Sequence, residues 1–454
     1  MTAAERLLAD LGEIAEASRR RFGLSAVTIG VVVDGAFASS GFGVADPATG
    51  APVTDRTIFR LCSVTKPFTA TLAMALAEDG LLELEEPIVK YLPELNLADA
   101  GVRETLTMRH LLSHTTGFEC ELPTELDAYG EDDAALDRAI ADFGLLRQWL
   151  PAGTAFGYCN AGYWLAGAVI ARVAGESFEA AMRRRVLDPL GLRSTFAGRA
   201  DASADPLAQP PARPEASAGD AGPPFPRCRI PSGGLLAPIG DVLRFGAFHL
   251  GAPLSERDGA RPPLSRSGRG RMLEMLVPRG RPDRWQGLGW ALEVVDGNVV
   301  AGHTGSYGDY YSLLLIAPAQ GSAVAALVTG EHGDRLVEEV RAAFLTRAVS
   351  PRPTPPPSVV LDAAVLASLA GRYAHPGDRA GTVTILPADA GLDLTAAVPG
   401  EEPFKARYLP ISPTEFVPVD GSDRPEDWVS FVVDGAVLAI RFDDRLGGRL
   451  GTSA

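Results

Sequence analysis

The chain has 454 residues, 46% apolar and 22% charged, the balance of a globular protein long enough for two or three domains. Its formal net charge of −15 argues against nucleic acid or an anionic membrane as partner, since both require a basic face. The four cysteines (Cys62, Cys120, Cys159, Cys228) show no paired C-x-x-C spacing, so neither a metal site nor a disulfide framework is indicated, and no cofactor is called for.

The opening stretch, "MTAAERLLADLGEIAEASRRRFG", predicts an amphipathic helix with Leu7, Leu11 and Ile14 on one face. It lacks the charged start and apolar core of a secretory signal, and no apolar run approaches the ~20 residues that span a bilayer, so the expected location is cytoplasmic. "SAVTIGVVVDGAFASSGFGVAD" reads as two strands around an Asp34-Gly35 turn. Helices follow at Thr65–Glu78, stopped by Gly80, in "TLTMRHLLSHTTGF" with Thr107 as N-cap, and over 160–175. "GLGWALEVVDGNVVAGH", "YYSLLLIAP" and "SAVAALVTG" are strand patterns, followed by a helix at about 333–347. Strands at both ends with helices between them imply an antiparallel sheet whose two terminal segments meet.

Two Pro/Ala/Gly/Ser-rich stretches, 197–228 and 251–270, lack apolar periodicity and read as long loops. "SPRPTPPPS" reads as a stiff linker. Beyond it, short alternating strands separated by turn residues predict a small β-barrel or sandwich with a core of its own. The expected organisation is therefore a large first domain at 1–348, a linker at 349–359 and a β-domain at 360–454.

Lysine is scarce: only Lys66, Lys90 and Lys405 occur among 42 basic residues. Arginine keeps its proton in proteins, whereas lysine can lose one, so a lysine inside the apolar helical pattern "FRLCSVTKPFTATLAMALAEDG" fits a proton acceptor. It stands three residues after Ser63, on the same helix face, where a helix N-terminus offers free N–H groups to an oxyanion. On its own Ser-x-x-Lys is a weak signal, matched equally by a capping serine and a solvated lysine. In "GYCNAGYW", Tyr158 and Asn160 stand at a loop-to-helix entry, and a phenol beside a cation can act as a phenolate-type base. Asn160 fits either a helix cap or a hydrogen-bond donor to substrate and Lys66. In "GHTGSYGDYY", Gly305 lets a ligand approach the backbone and the Ser306 N–H can face a cleft, while a lone strand histidine such as His303 is often structural.

The order Ser63-x-x-Lys66, Tyr158-x-Asn160, His303-Thr304-Gly305, with "LTMRHLLSHTTGF", "PAGTAFGYCNAGYWLAGAVI", "PLGLRST" and "PSGGLLAPIGDVLRF", resembles the serine penicillin-recognising enzymes over residues 20–347. The branch is that of class C β-lactamases, D-aminopeptidases and related esterases. The resemblance implies an α/β (α+β) sandwich of an antiparallel sheet and a helical domain. It further implies acylation at Ser63, proton transfer shared by Lys66 and Tyr158, substrate orientation by Asn160, and an oxyanion hole from the N–H groups of Ser63 and Ser306. The chain departs from that pattern at His303, where a lysine is usual, so a permanent cation for a substrate carboxylate is missing or weakened there.

Within the branch, the chain is similar to stand-alone penicillin-binding-protein-type thioesterases, which release a nonribosomal peptide from a carrier protein and cyclise it head to tail. The shared features are the absence of an export signal, a histidine in the third motif and a lipocalin-like C-terminal β-domain. That similarity implies a peptidyl or acyl substrate, carried as a thioester, and an arginine near the C-terminus facing the cleft, with Arg449 the best positional match and Arg445 second. A D-aminopeptidase or esterase-type hydrolase, which can share all three features, is the alternative, and a non-catalytic binding module a more distant one.

Overall fold

The computed structural model describes residues 1–124, 126–198, 207–210, 225–252, 261–350, 358–375, 381–419, 428–442 and 444–450. Among them, twelve strands precede residue 350: β1 (Ala26–Val33), β2 (Ala36–Asp46), β3 (Ala51–Pro52), β4 (Phe59–Arg60), β5 (Phe196–Ala197), β6 (Leu235–Ala237), β7 (Val277–Arg281), β8 (Arg284–Gln286), β9 (Ala291–Val295), β10 (Asn298–Tyr307), β11 (Tyr310–Ala317) and β12 (Ser322–Thr329). The principal helices are α1 (Ala3–Phe22), α2 (Thr65–Glu78), α3 (Met108–Leu112), α4 (Asn160–Ala174), α5 (Ile239–Leu250), α6 (Arg266–Met272), α7 (Gly333–Phe344) and α8 (Ala363–Leu369).

Nine strands form one sheet in the order β3-β2-β1-β12-β11-β10-β9-β8-β7, while β4, β6 and β5 form a small second sheet. The β1–β2 turn works as the sequence predicts: Asp34 (φ 50°) and Gly35 (φ 79°) both take the left-handed conformation a tight two-residue hairpin needs. The terminal segments meet, because β1 pairs antiparallel with β12 from Ala26↔Thr329 to Val33↔Ser322. Along β1 and β12, side chains alternate between two cores. Val27, Ile29, Val31, Val324, Ala326 and Val328 pack with α1 and α7. Ala325 and Leu327 join the helical-domain core of α2, α4 and α5, where Phe68 stacks on Phe245 at 3.6 Å. Covered on both faces, these strands read as nearly unbroken apolar runs.

The predicted linker falls largely on 351–357, outside the described residues. Beyond it, β13 (Gly371–Ala374), β14 (Thr382–Ala388), β15 (Gly391–Ala397), β16 (Phe404–Pro410), β17 (Glu415–Pro418), β18 (Val429–Asp434), β19 (Ala436–Phe442) and β20 (Arg445–Gly448) pair in sequence order. A bridge between Tyr373 and Arg449, with the Leu450 N–H donating to Arg372 O at 2.8 Å, brings the first and last strands together into a nearly closed barrel. Its interior holds Tyr373, Ile385, Leu394, Tyr408, Phe416 and Phe431, with Leu366 and Leu369 of α8 packed among them. The barrel also touches the helical domain, where Leu150 and Ala155 share a small apolar cluster with Ala439 and Leu446.

One correction concerns 251–270. Residues 253–260 lie outside the described set, as do 199–206 and 211–224 of the other predicted loop, but 266–270 are helical rather than loop. Two glycines hide α6 from propensity; tertiary contacts restore it. Ser265 caps the Gly268 N–H at 3.0 Å and donates its own hydroxyl to Glu78 of α2 at 2.6 Å. Ser265→Ala is expected to lower stability by ~1 kcal/mol, read as a shift of the urea midpoint with unchanged slope. An unshifted midpoint would mean that packing alone holds this helix.

Candidate active site

Ser63 lies in a 3-10 turn, Cys62–Val64, that runs directly into α2. The turn is strained and pinned. Cys62 has φ 47°, a conformation costly for a residue with a Cβ, and its flanks are held from two sides. Leu61 donates its N–H to Leu235 O at 2.9 Å and accepts the Ser312 hydroxyl at 2.6 Å. Gly305 of β10 crosses so close to this turn that a Cβ there would sit 2.8 Å from the Ser63 nitrogen. Only glycine fits, which gives the sequence-level expectation for Gly305 a steric cause.

Lys66 is fully buried, and its Nζ lies 3.1 Å from Ser63 Oγ, 2.8 Å from Asn160 Oδ1 and 2.8 Å from Ser232 O. Burial pulls its pKa down to about 7. A neutral amine has two N–H bonds and one lone pair. The two oxygens of Asn160 and Ser232 accept both N–H bonds, which leaves the lone pair for the hydroxyl proton of Ser63. Ser232 is itself fixed, accepting from Trp164 Nε1 at 2.9 Å.

Tyr158 donates its hydroxyl to Ser63 Oγ at 2.8 Å. Burial pushes its pKa above the ordinary tyrosine value, so the resting group is a phenol. The phenolate-type base expected from the sequence is therefore replaced by a donor, and the three groups form one chain: Tyr158 O–H to Ser63 Oγ, Ser63 O–H to Lys66 Nζ. His114, which sequence reasoning did not single out, lies beneath Tyr158 with ring centroids 4.5 Å apart, and its Nδ1 accepts the Cys159 N–H at 3.0 Å. Burial holds its pKa well below the usual imidazole range, so it is neutral.

Asn160 begins α4, but Cys159 is the cap, its sulfur accepting the Gly162 N–H at 3.3 Å. The Asn160 side chain is thereby free to serve the site, in a sense opposite to the expected donation to Lys66. Its Oδ1 accepts from Lys66, and its Nδ2 donates to Glu121 at 2.6 Å. Glu121 also accepts from Arg229 Nη2 at 2.5 Å. Neither charge carries a local sequence signal; both look like ordinary surface residues until the fold brings them together.

His303, Thr304, Gly305 and Ser306 line the same cavity as Ser63, Tyr158 and Asn160, about 980 Å³ in volume. They lie on the part of β10 beyond its pairing with β9, which ends at Gly302↔Ala291, and the cavity passes over this edge to reach α7. Partial burial and the nearby Lys66 hold His303 below the ordinary imidazole value, so it carries no charge at neutral pH, in keeping with the missing cation. Arg449 is not where the sequence comparison put it. Its guanidinium donates to Ala370 O at 2.7 Å at the barrel seam, whereas Arg445 lines the cavity and its charge is felt by Tyr158. Among the described residues, no group of three or more His, Cys, Asp or Glu side chains is arranged to hold a metal ion.

Residues 5–347 match the family model described as "Beta-lactamase". The chain belongs to the beta-lactamase family. Penicillin-binding protein 4 of Amycolatopsis lactamdurans is 33% identical over 330 residues, 69% of this chain and 83% of that protein. A crystal structure of SurE with D-Leu is similar over 98% of this chain and 100% of SurE, with a TM-score of 0.76 and 25% identity, so the likeness extends through the barrel. The D-amino acid amidase of Ochrobactrum anthropi, complexed with L-phenylalanine amide, shares the fold of 75% of this chain and 98% of its own at TM-score 0.60 and 22% identity. The protein is thus an enzyme of the serine hydrolase and acyltransferase type. Within the family fold, no helix of the described residues is long and apolar enough to cross a membrane.

The lone pair on Lys66 sets the expected pH dependence. Below pH about 7 the amine is protonated and cannot take the Ser63 proton, so acylation by a neutral ester should rise with pH and level off above that value. Lys66→Arg is expected to be nearly as damaging as Lys66→Ala, a loss of ~10³-fold or more in acylation rate. Stopped-flow acylation across pH 5–9 checks both; substantial activity in the arginine variant would mean that charge alone suffices.

Proposed function

We propose that this protein is a stand-alone acyltransferase that accepts a peptidyl thioester from a carrier protein at Ser63 and releases the peptide as a head-to-tail macrolactam. The observation that carries the reading is the position of the barrel turn beside the nucleophile. Tyr158 donates its main-chain N–H to Asp444 O at 2.8 Å, and Arg445 follows at the cavity wall. The barrel is thereby a wall of the acyl site, and the cavity that opens at Ser63 continues past it over the edge of β10, which leaves room for a chain longer than a small ester. The whole-chain likeness to SurE, crystallised with D-Leu, supports a peptide-type acyl group.

In this reading Ser63 Oγ attacks the thioester carbonyl and gives its proton to Lys66. The N–H groups of Ser63 and Ser306 receive the oxyanion, and the thiol departs with a proton passed along the Lys66–Tyr158 pair. The peptide's own amine then attacks the Ser63 ester; its proton returns to Ser63 Oγ through the same groups. Tethering raises the effective concentration of that amine far above any free nucleophile, provided water is excluded. Arg445 supplies the cation that neutral His303 does not. A carrier-bound substrate also places the reaction in the cytoplasm.

A second reading, hydrolysis of D-aminoacyl amides or short esters, draws on the shared fold with D-amino acid amidase. Peptidyl pantetheine thioesters with free N-termini separate the two. The main product is expected to be the macrolactam, one water lighter than the linear acid by mass spectrometry, and Ser63→Ala should abolish both products. Arg445→Ala should shift products towards linear acid by ~10-fold, while Arg449→Ala, at the barrel seam, should not. Linear acid alone across varied lengths and C-terminal stereochemistries, with rapid turnover of D-aminoacyl amides, would establish the hydrolase instead.

A further inference from the structure

We propose that the last turn of the barrel is a positioning device for Tyr158, so that acylation by every substrate, including those too small to touch the barrel, depends on how the barrel is docked. Residues 156–158 form no regular element, and hydrogen bonds to other segments hold them. On one side stands His114: its carbonyl accepts the Gly157 N–H at 2.8 Å and its Nδ1 accepts the Cys159 N–H at 3.0 Å. On the other side stands the barrel. Asp444 O accepts the Tyr158 N–H at 2.8 Å, and Arg441 Nε donates to Phe156 O at 3.0 Å. Successive backbone groups of an extended segment point to opposite sides, so the bonds to His114 cannot replace those to the barrel.

The docked turn is itself built for this contact. Asp444 has φ 59°, and its carboxylate pairs with Arg279, whose guanidinium lies 4.8 Å over the Phe156 ring. Arg441 is buried and fixed by a second bond to Ser430 Oγ at 2.8 Å. Leu446 fills the space that a Cβ on Gly157 would occupy, which allows the two segments to approach this closely. The Tyr158 hydroxyl sits 2.8 Å from Ser63 Oγ at the end of a segment so held. Release of its outer side lets the phenol drift, and even an ångström of misplacement is costly in a proton-transfer chain. Arg441 and Asp444 touch no reacting atom; they act through Tyr158.

The test uses the full-length protein and p-nitrophenyl acetate, whose two-carbon acyl group is far smaller than a peptidyl group. Arg441→Met and Gly157→Ala should each lower kcat by ~10–100-fold with KM changed less than about threefold. In a Tyr158→Phe background the same substitutions should cost less than about twofold, because the group they position is gone. Adding Leu446→Ala to Gly157→Ala makes room for the new methyl and should recover most of the loss, measured against Leu446→Ala alone. That rescue, together with Arg441→Met at native near-UV circular dichroism, separates positioning from misfolding. An unchanged kcat on the acetate, equal losses with and without the Tyr158 hydroxyl, or failure of the Leu446 rescue would each overturn the proposal. These outcomes are independent of whether the natural product is cyclic or linear.

Discussion

The architecture of the site depends on a lysine with no access to water. An ammonium in that position would forfeit several kcal/mol of hydration, and the protein meets the problem by supplying two oxygen acceptors and a hydroxyl, the complement that suits a neutral amine. Much of the surrounding structure keeps those acceptors still. Trp164 fixes Ser232, the Glu121–Arg229 pair orients Asn160, and α2 is buried from Thr65 to Leu76 so that Lys66 cannot swing out. Ser63 is reactive because burial lets its neighbour three residues on give up its proton near neutral pH.

The second dependence is between the two ends of the chain. The barrel has its own core and its own ring of strands, yet it contributes hydrogen bonds to the segment that carries Tyr158, and Leu446 packs against that segment. Cleft and barrel therefore meet at a direct contact, the barrel with a core of its own and the large sheet with one on each face. The neutral His303 belongs to the same picture: with that motif silent electrostatically, cationic character at the cavity wall comes from the arginines, among them Arg445.

Much of this was legible from residue order alone. Asp34-Gly35 announces its hairpin because few other pairs tolerate two left-handed residues in succession, and Lys66 stands out against an arginine-rich background. Other features were not legible, for physical reasons. Arg445 and Arg449 are equivalent by composition; they differ because four strand residues span ~13 Å, enough to carry one from the cavity wall to the barrel seam. Glu121 and Arg229 are more than a hundred residues apart and become a pair only when folding brings them to Asn160. The helix at 266–272 draws its stability from Glu78, a partner no local window contains. Tyr158 was recognised, but its protonation depends on burial, which a sequence does not display.

The pairing of β1 with β12 has a consequence for how the molecule is made. The central seam of the large sheet joins residues 26–33 to residues 322–329. During synthesis the first hairpin leaves the ribosome with one edge unpaired, and every helix that later surrounds Ser63 emerges before the strand that covers that edge. At ~5–20 residues per second, the wait is on the order of tens of seconds. Contacts of such long sequence separation also slow folding once the chain is complete. The nascent protein thus passes through a prolonged stage in which an apolar strand is exposed and the site is unassembled, which makes this seam a point of vulnerability to aggregation and of dependence on chaperones.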